Sequence, residues 1–303
     1  MNDYSQLLCR FVIPGLLAPE IDPFFYRLLN ADLAKFDDTA LRRHFERHGR
    51  SEGRCASPAA HRAGFVTQIP DTRPIVEIGP GFHPTLRGSH VRYFDLMNRA
   101  DALARAPQQT SLIDEYPEID YVSPTGDLSV ITDRFDALFS SHCIEHQPDL
   151  VAHLQRAGNL LKPLGRYFML VPDKRYCFDA LIPESTLDKV PLAHHERRRV
   201  HTYESVLDHY VLTTHNDTGR HWRGDSLDEA LFGQRIERAA IAREVFDAGR
   251  GGYVDVHAWQ FTPQTFRTII TELNRRGLTR LAVERVYDTV YDRNEFGAVL
   301  HLV

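Results

Sequence analysis

The sequence predicts an α/β protein built on a doubly wound parallel sheet with helices on both faces. The apolar run Ile75–Ile78 is followed by a turn that contains Gly79 and Gly81, and a second run, residues 90–95, ends in an acidic residue. A third run, Phe135–Ser141, ends in two serines. Short apolar runs bounded by turn residues are typical of buried parallel strands. Since the carboxyl ends of such strands meet at one crevice, a ligand site is expected there.

The turn after the first run restricts the kind of ligand. Gly79 and Gly81 let the backbone turn tightly and approach a ligand without a Cβ in the way. A dinucleotide fingerprint requires a third glycine three residues after the second, where the following helix receives a pyrophosphate. Position 84 is a proline, so a nicotinamide dinucleotide and an oxidoreductase that uses it are disfavoured.

An acidic residue stands two positions before the first glycine. The apolar strand followed by Glu77-x-Gly79-x-Gly81 resembles motif I of the class I S-adenosylmethionine (SAM) dependent methyltransferases. In that family an acidic residue at the end of the second strand holds the ribose hydroxyls, and Asp95 matches this position. The Asp127-Leu128 pair resembles the family's adenine-contacting pair.

Two later segments resemble the same family more specifically. Residues 135–146, with their Phe-Asp start, apolar run, serine and Glu-His pair, resemble its fourth strand and the motif after it. Residues 162–173 resemble its fifth strand, except that Leu164 replaces a glycine of the usual Lys-Pro-Gly-Gly opening. A helix at about 150–161 and a last helix that begins near Thr262 follow in the expected order.

The resemblance covers about residues 70–173 and 257–303. It implies a Rossmann-like sheet of seven strands and S-adenosyl-L-methionine as the cofactor. The cofactor-binding residues that it implies are Glu77, Gly79, Gly81, Asp95, Leu96, Asp127, Leu128 and Ser141. Each carboxylate alone is compatible with a turn cap or a surface ion pair. Three of them at the ends of three successive apolar strands indicate one cofactor site.

Composition narrows the classes of function. A chain of 303 residues with 43% hydrophobic residues can bury a sizeable core and is expected to form one large domain with an appendage. A net charge of -5 disfavours a nucleic-acid partner, which requires a basic face. The four cysteines form no C-x-x-C pair, so no disulfide framework is indicated. No apolar stretch is long enough for a membrane span, and a cytoplasmic location is expected.

Residues 1–66 are expected to form a helical module ahead of a catalytic domain at 67–303. Apolar residues at helical spacing near residue 25, and Gly49 at the end of a second periodic segment, predict a helical hairpin. Residues 21–54 also resemble a short module of bacterial glycosyltransferases and other proteins of surface-polysaccharide assembly. This second resemblance implies a glycosyltransferase partner. A packing appendage without a ligand is the alternative, and residues 58–60 are expected to form a loose connection.

Residues 174–256 depart from the minimal fold and are expected to form an inserted substrate lid beside the cofactor crevice. The insertion is rich in histidine: His194, His195, His201, His209, His215 and His221. Residues 213–225 combine donors, acceptors and a tryptophan, a composition suited to a polyhydroxylated ligand. The same residues are equally suited to an internal polar network that fixes a loop.

For methyl transfer to a hydroxyl, the protein has to position the acceptor and remove its proton. His142, at the end of the predicted fourth strand, is the first candidate for this base; a ring that only packs in the structure is the alternative. His146, His215 and His221 are weaker candidates. The pattern His142-Cys-Ile-Glu-His146 also matches a zinc peptidase motif, which must ride on one helix. Pro148 interrupts such a helix, so no metal is expected.

The combined interpretation is SAM-dependent methyl transfer to a small-molecule or glycan acceptor, a sugar intermediate of surface-polysaccharide synthesis. Two alternatives remain open at this point. One is a methyltransferase for a small metabolite or a lipid, for which the lid is expected to be more apolar. The other is a non-catalytic SAM-binding scaffold for glycosyltransferases.

Overall fold

The computed structural model describes residues 8–105, 116–249 and 251–303. Its centre is a seven-stranded sheet in the order β3-β2-β1-β4-β5-β7-β6. The strands are β1 (Ile75–Ile78), β2 (Val91–Asp95), β3 (Tyr121–Val122), β4 (Phe135–Ser141), β5 (Leu161–Pro172), β6 (Leu281–Val286) and β7 (Glu295–Leu302). The first five run parallel, and β7 is antiparallel to both of its neighbours. The predicted seven-stranded Rossmann-like sheet is confirmed.

The helices number eleven in the described part of the chain. They are α1 (Pro23–Leu29), α2 (Asp38–His44), α3 (Arg62–Thr67), α4 (Arg99–Arg105), α5 (Leu150–Leu160), α6 (Lys189–His195), α7 (Tyr203–Leu212), α8 (Thr218–Trp222), α9 (Glu229–Gly233), α10 (Arg235–Gly249) and α11 (Pro263–Arg275). None of them is both long and apolar enough to cross a membrane.

Two amphipathic helices cover one face of the sheet, and both begin where their sequences predict. The Asp149 carboxylate caps α5 by accepting from the backbone N of Ala152. Thr262 and Thr265 form a capping box at the start of α11, with Pro263 in the first turn. The apolar sides of both helices pack into the larger of the two cores that enclose the sheet.

The opposite face of the sheet is covered by the chain just before β1. Phe65 of α3 is fully buried and packs edge-on against Phe168 of β5 and Tyr287. The expected loose connection at 58–60 is wrong: Pro58–Ala60 forms a 3₁₀ turn in which Ala59 is fully buried. The small side chains at these positions permit close packing with α3. The boundary near residue 66 between two domains stays a prediction.

The predicted N-terminal hairpin is confirmed in α1 and α2, capped by Asp22 and Asp37. The second helix is shorter than expected, because Phe45–Gly49 winds into a wider π-helical turn. A Cβ on Gly49 would lie 2.2 Å from the Tyr26 hydroxyl oxygen. This position therefore accepts only glycine while Tyr26 stays buried.

Residues 174–256 fold as five helices, α6 to α10, beyond the carboxyl end of β5. Helices α7 and α10 pack together around a small core formed by Val206, Ala242 and Val256. Val190 and Ala193 of α6 pack into the larger core beside the sheet, so the insertion is joined to the rest of the fold.

Candidate active site

A cavity of about 230 Å³ lies at the carboxyl ends of β1, β2 and β4. The residues that line it from the sheet side include Gly79, Asp95, Leu96, Leu128, His142 and His146. The insertion contributes Arg199, Tyr253 and Asp255. This is the crevice expected for a doubly wound sheet, and residues from the predicted lid enclose part of it.

The glycine turn forms one wall of the cavity and is built for close approach. Gly79 and Gly81 have φ of 67° and 52°, a left-handed conformation that favours glycine. A Cβ on Gly79 would lie 2.4 Å from the Sγ of Cys143, another lining residue. Gly81 lines a smaller neighbouring cavity together with Asp95. No side chain can be placed at Gly79 without moving Cys143.

Glu77 lies beneath this turn and does not line the cavity. Its two carboxylate oxygens accept hydrogen bonds from the backbone N atoms of Thr85 and Leu86, at 2.8 and 2.9 Å. Burial raises the pKa of Glu77 to about 7, although these hydrogen bonds act in the opposite direction. Glu77 therefore holds the segment after the glycines in place, and its role as a cofactor-binding residue stays a prediction.

Asp95 ends β2 at the cavity wall. Its Oδ1 accepts from the backbone N of Leu96 at 2.7 Å, and its Oδ2 accepts from the Tyr116 hydroxyl at 3.1 Å. Burial raises the pKa of Asp95, and these hydrogen bonds counteract the rise. The backbone of Gly81 also donates a hydrogen bond to Asp95. A carboxylate has about four lone-pair sites, so these three hydrogen bonds leave acceptor capacity for a hydroxyl group of a ligand.

The remaining predicted cofactor residues divide into two groups. Leu96 and Leu128 line the cavity and provide apolar surface. Asp127 instead caps the 3₁₀ turn Leu128–Val130, accepting from the backbone N of Ser129 at 2.9 Å, and it forms an ion pair with Arg156. The Ser141 hydroxyl accepts from the Arg62 guanidinium at 2.8 Å. Asp127 and Ser141 thus lie behind the residues that form the wall.

His142 follows β4 directly and adopts a left-handed backbone conformation, with φ of 52°. Its Nε2 lies 2.9 Å from Oε2 of Glu295, a carboxylate that also receives two hydrogen bonds from Arg62. Because a carboxylate only accepts, the Nε2 of His142 carries the proton and Nδ1 is the nitrogen left to exchange one. The side chain is 36% exposed and lines the cavity, as a base requires.

The charges around His142 set the direction in which its pKa shifts. Burial alone would lower its pKa, but the hydrogen bond to Glu295 and the negative charges of Glu145 and Glu295 outweigh burial and raise it. Burial likewise opposes the ionised form of Glu295, yet the hydrogen bonds from His142 and Arg62 lower the pKa of Glu295 to about 2. Glu295 stays charged at neutral pH and orients the imidazole ring.

His146 also lines the cavity, where its Nδ1 lies 3.2 Å from a carboxylate oxygen of Asp255. Its ring meets the ring of His257 edge-on, with centroids 4.6 Å apart. The residues 144–146 form a single 3₁₀ turn, so the one-helix zinc peptidase arrangement does not occur.

His215 and His221 belong to a different part of the insertion. Their rings stack on each other with centroids 4.2 Å apart. The Nε2 of His221 donates to the carbonyl oxygen of His215, and its Nδ1 pairs with the Ser226 hydroxyl, both at 2.9 Å. Neither histidine lines the cavity. Of the two interpretations of residues 213–225, this geometry favours the internal polar network, and a catalytic role for either ring stays a prediction without support from its position.

Several lining residues escaped the sequence interpretation. Arg199, Tyr253 and Asp255 reach the cavity only because the insertion folds back over the strand ends. Glu145 lay within the His142 to His146 pattern, but His257, whose Nε2 lies 3.9 Å from Oε1 of Glu145, belongs to no motif. A second cavity of about 150 Å³ lies between the insertion and residues 148 and 257–260, and its lining includes Glu184, Ser185, His201, Glu204 and His257.

Comparison with known proteins agrees with this architecture. Residues 77–169 match the model of a family described as a methyltransferase domain. The fold, the cavity and this match support a SAM-dependent methyltransferase. The cofactor that they support is S-adenosylmethionine.

The chain is also similar to solved structures of methyltransferases. A SAM-dependent methyltransferase from Methanosarcina mazei shares 12% identity over 78% of this chain and 94% of that chain, with a TM-score of 0.36. One from Mesorhizobium loti shares 17% identity over 77% and 93%, with a TM-score of 0.37. A methyltransferase of calicheamicin biosynthesis shares 13% identity over 99% and 67%, with a TM-score of 0.36. No function is inferred from likenesses at this level. No curated protein sequence matches the chain.

Proposed function

We propose that this protein transfers the methyl group of SAM to a hydroxyl or other nucleophile of a sugar or glycan intermediate in surface-polysaccharide synthesis. The observation that carries the transfer step is the geometry of His142, which lines the cavity and is oriented by Glu295. When bound, SAM supplies an electrophilic methyl group. The protein then has to hold the acceptor in line and accept its proton, and the Nδ1 of His142 is free to do so.

The cavity fits the cofactor in three respects. Gly79 offers backbone without a side chain, and Asp95 offers a carboxylate with unused acceptor capacity. Leu128 offers an apolar surface for the adenine ring. These groups come from three different strand ends, at the position where doubly wound sheets bind ligands.

A polar acceptor is supported by the second cavity. Glu184, Ser185 and Glu204 line it, as does His201, whose buried ring nitrogens have no hydrogen-bond partner among the described residues. Hydroxyl groups of a sugar are suitable partners for such a set. Ile182, Leu192 and Trp259 add apolar surface to the same cavity. The surface-polysaccharide context rests on the resemblance of residues 21–54 to modules of polysaccharide-assembly proteins. That resemblance has no support from the comparisons.

Calorimetry with SAM, S-adenosylhomocysteine and NAD tests the cofactor. We expect micromolar binding of the two adenosyl compounds and none of NAD. Asp95→Asn should weaken binding by roughly tenfold or more, because an amide oxygen accepts ribose hydroxyls less strongly than a carboxylate. Asp71→Asn, which changes an exposed carboxylate outside the cavity, is the matched control. Binding of NAD alone would overturn the proposal.

Formation of S-adenosylhomocysteine tests the acceptor. Nucleotide sugars and short glycans should stimulate it, while fatty acyl and small aromatic acceptors should not. Stimulation only by lipids or by small metabolites would favour the corresponding alternative. Binding of SAM with no turnover on any acceptor, together with capture of a glycosyltransferase, would favour the scaffold.

A further inference from the structure

A fully buried carboxylate without a partner lies next to the cavity. The side chain of Glu145 has 0% exposure, and neither of its oxygens has a hydrogen-bond partner among the described residues. Removing an ionised carboxylate from water is costly unless a counter-charge, a set of donors or a metal compensates. Histidine nitrogens lie 3.7 to 4.0 Å from Oε1 of Glu145, but none of them forms a hydrogen bond with it, so a bound ion would complete the site.

Three imidazole rings surround this carboxylate. The Nδ1 of His142 lies 4.0 Å from Oε1 of Glu145, and the rings of His146 and His257 lie at a distance that suits an ion between them and Glu145. Nε2 of His146 lies 3.7 Å from Oε1 of Glu145, and Nε2 of His257 lies 3.9 Å from the same oxygen. One donor atom from each of the three residues lies within 4.8 Å of the others. Direct hydrogen bonds would bring these atoms to about 2.8 Å. A tetrahedral zinc ion would hold its ligands about 3.3 Å apart, so the two distances to Oε1 of Glu145 would shorten by roughly half an ångström.

Carboxylates stand behind both rings. Nδ1 of His257 is 2.5 Å from Oδ2 of Asp179, a buried residue, and Nδ1 of His146 is 3.2 Å from Oδ1 of Asp255. The Nδ1 of His257 and the carboxylate of Asp179 share a hydrogen bond, which leaves the lone pair on the Nε2 that faces Glu145. The Nδ1 of His146 and Asp255 form an ion pair without hydrogen-bond geometry. Carboxylate-supported imidazoles of this kind are the usual outer layer of a metal site.

The backbone joins the two halves of the cluster. The carbonyl oxygen of Glu145 accepts from the backbone N atoms of Ala258 and Trp259, at 2.7 and 3.1 Å. This contact fixes the 3₁₀ turn after β4 against the segment that leads from the insertion to α11. These main-chain hydrogen bonds therefore hold together the two segments that carry the three donor side chains.

We infer that Glu145, His146 and His257 bind a divalent transition-metal ion. One carboxylate and two imidazoles form a ligand set used by catalytic Zn²⁺, and by Fe²⁺ where further positions remain open. Zn²⁺ is the ion we expect. The sequence expectation of no metal rested on a motif confined to one helix and on the spacings of the insertion's histidines, whereas the third ligand, His257, comes from a distant segment.

The position of the ion bears on the acceptor. His146 lines the cofactor cavity and His257 lines the second cavity, so the ion lies between them. Three protein ligands leave at least one coordination position for an oxygen atom, and an acceptor hydroxyl bound there would have a lowered pKa. This role rests on the proposed function, whereas the binding of the ion does not.

Metal content of the full-length protein, purified without chelators, tests the site directly. We expect inductively coupled plasma mass spectrometry to find about one equivalent of metal per chain. After removal by dipicolinate, titration with Co²⁺ should give visible absorption bands of a low-symmetry site, and Zn²⁺ should displace Co²⁺. Absence of stoichiometric metal, together with no saturable binding of Co²⁺, Zn²⁺, Mn²⁺ or Fe²⁺ to the wild-type protein, would overturn the inference.

Variants assign the ligands. Glu145→Gln and His257→Gln should each weaken Co²⁺ binding by roughly 100-fold or more, and Asp179→Asn by roughly tenfold, since it acts only through His257. His195→Gln, an exposed histidine of the same insertion, is the matched control and should leave affinity unchanged. Equal affinity in the wild type and both ligand variants would contradict the assignment. If a ligand variant does not fold, Asp179→Asn decides.

SAM binding to the metal-free protein separates this inference from the proposed function. Metal binding without any SAM binding would leave the metal site intact and remove the methyltransferase assignment. SAM binding and methyl transfer by a protein that binds no metal would support the methyltransferase assignment and overturn the metal site.

Discussion

This molecule has two groups of histidine residues, and the groups differ in what surrounds their side chains. His215 and His221 stack on each other and are hydrogen-bonded by atoms of their own loop. His142 and His146, at the end of β4, face a cavity and lie close to the unpartnered carboxylate of Glu145. The difference teaches that histidine content does not mark a site. The better indication here is a buried polar group whose atoms have no hydrogen-bond partner among the described residues, such as the carboxylate of Glu145.

The strongest test of this contrast is His142→Gln. Loss of the imidazole should reduce turnover by about 10²–10⁴-fold, because the acceptor loses its base, while SAM affinity changes little. Turnover is measured as S-adenosylhomocysteine formed at saturating SAM, with affinity measured by calorimetry. His195→Gln serves as the control. Wild-type turnover in His142→Gln would remove this residue from the mechanism.

A further histidine, His153, extends the comparison to the pH dependence of stability. His153 is buried beside Tyr167, with its Nε2 3.1 Å from the hydroxyl, and burial lowers its pKa from 6.5 to about 4. A histidine buried in the neutral form stabilises the fold fully above pH 6.5, and this contribution is lost as the pH falls toward 4. Between pH 7 and 4.5 the loss amounts to about 2.5 kcal/mol.

Urea unfolding at the two pH values measures this loss. His153→Gln should be less stable at pH 7 but should lose about 2.5 kcal/mol less than the wild type on acidification. An equal pH dependence in the two proteins would show that His153 is not buried in the neutral form.

The turn opposite His142 is the next point to disturb. Gly79→Ala places a Cβ against Cys143 and imposes a left-handed conformation on a residue with a side chain. We expect a loss of about 1–3 kcal/mol in the free energy of unfolding, together with weaker SAM binding. Gly233→Ala, where nothing lies within 4 Å of the added Cβ, is the control. Unchanged SAM affinity in Gly79→Ala would place the cofactor away from this turn.

The smallest effect is expected at the second group. His221→Ala leaves the carbonyl oxygen of His215 and the hydroxyl of Ser226 without partners, which should cost about 1–2 kcal/mol in the free energy of unfolding. Turnover per folded molecule should stay near that of the wild type. A large drop in turnover at unchanged stability would restore the catalytic prediction for this residue.

The sequence predicted what depends on local pattern. The apolar strands, the helix that begins at Thr262 and the glycine turn follow from residue types over short windows, and the structure has all of them. What it did not predict depends on contacts across the chain. His142 pairs with Glu295, and Glu145 meets His257, through folding of distant segments. No periodicity or motif encodes such pairs.

The chain before β1 shows the same limit. Pro58, Ala59 and Ala60 have the composition of a linker, yet they are packed because small side chains allow close backbone approach. A Cβ on Gly64 of α3 would lie 1.9 Å from the Pro58 carbonyl oxygen. Small residues thus predict either a loose segment or a tightly packed one, and only the neighbouring surface decides between them.

The bidentate contact between Arg62 and Glu295 has a practical consequence for engineering this chain. Arg62 belongs to α3, ahead of the predicted boundary, while the carboxylate it holds orients His142. A shortened protein that starts at residue 67 would lose this guanidinium and the buried ring of Phe65 at once. An exchange of the N-terminal segment between homologous enzymes would therefore have to supply an arginine at the same place, or the recipient would inherit a misdirected imidazole.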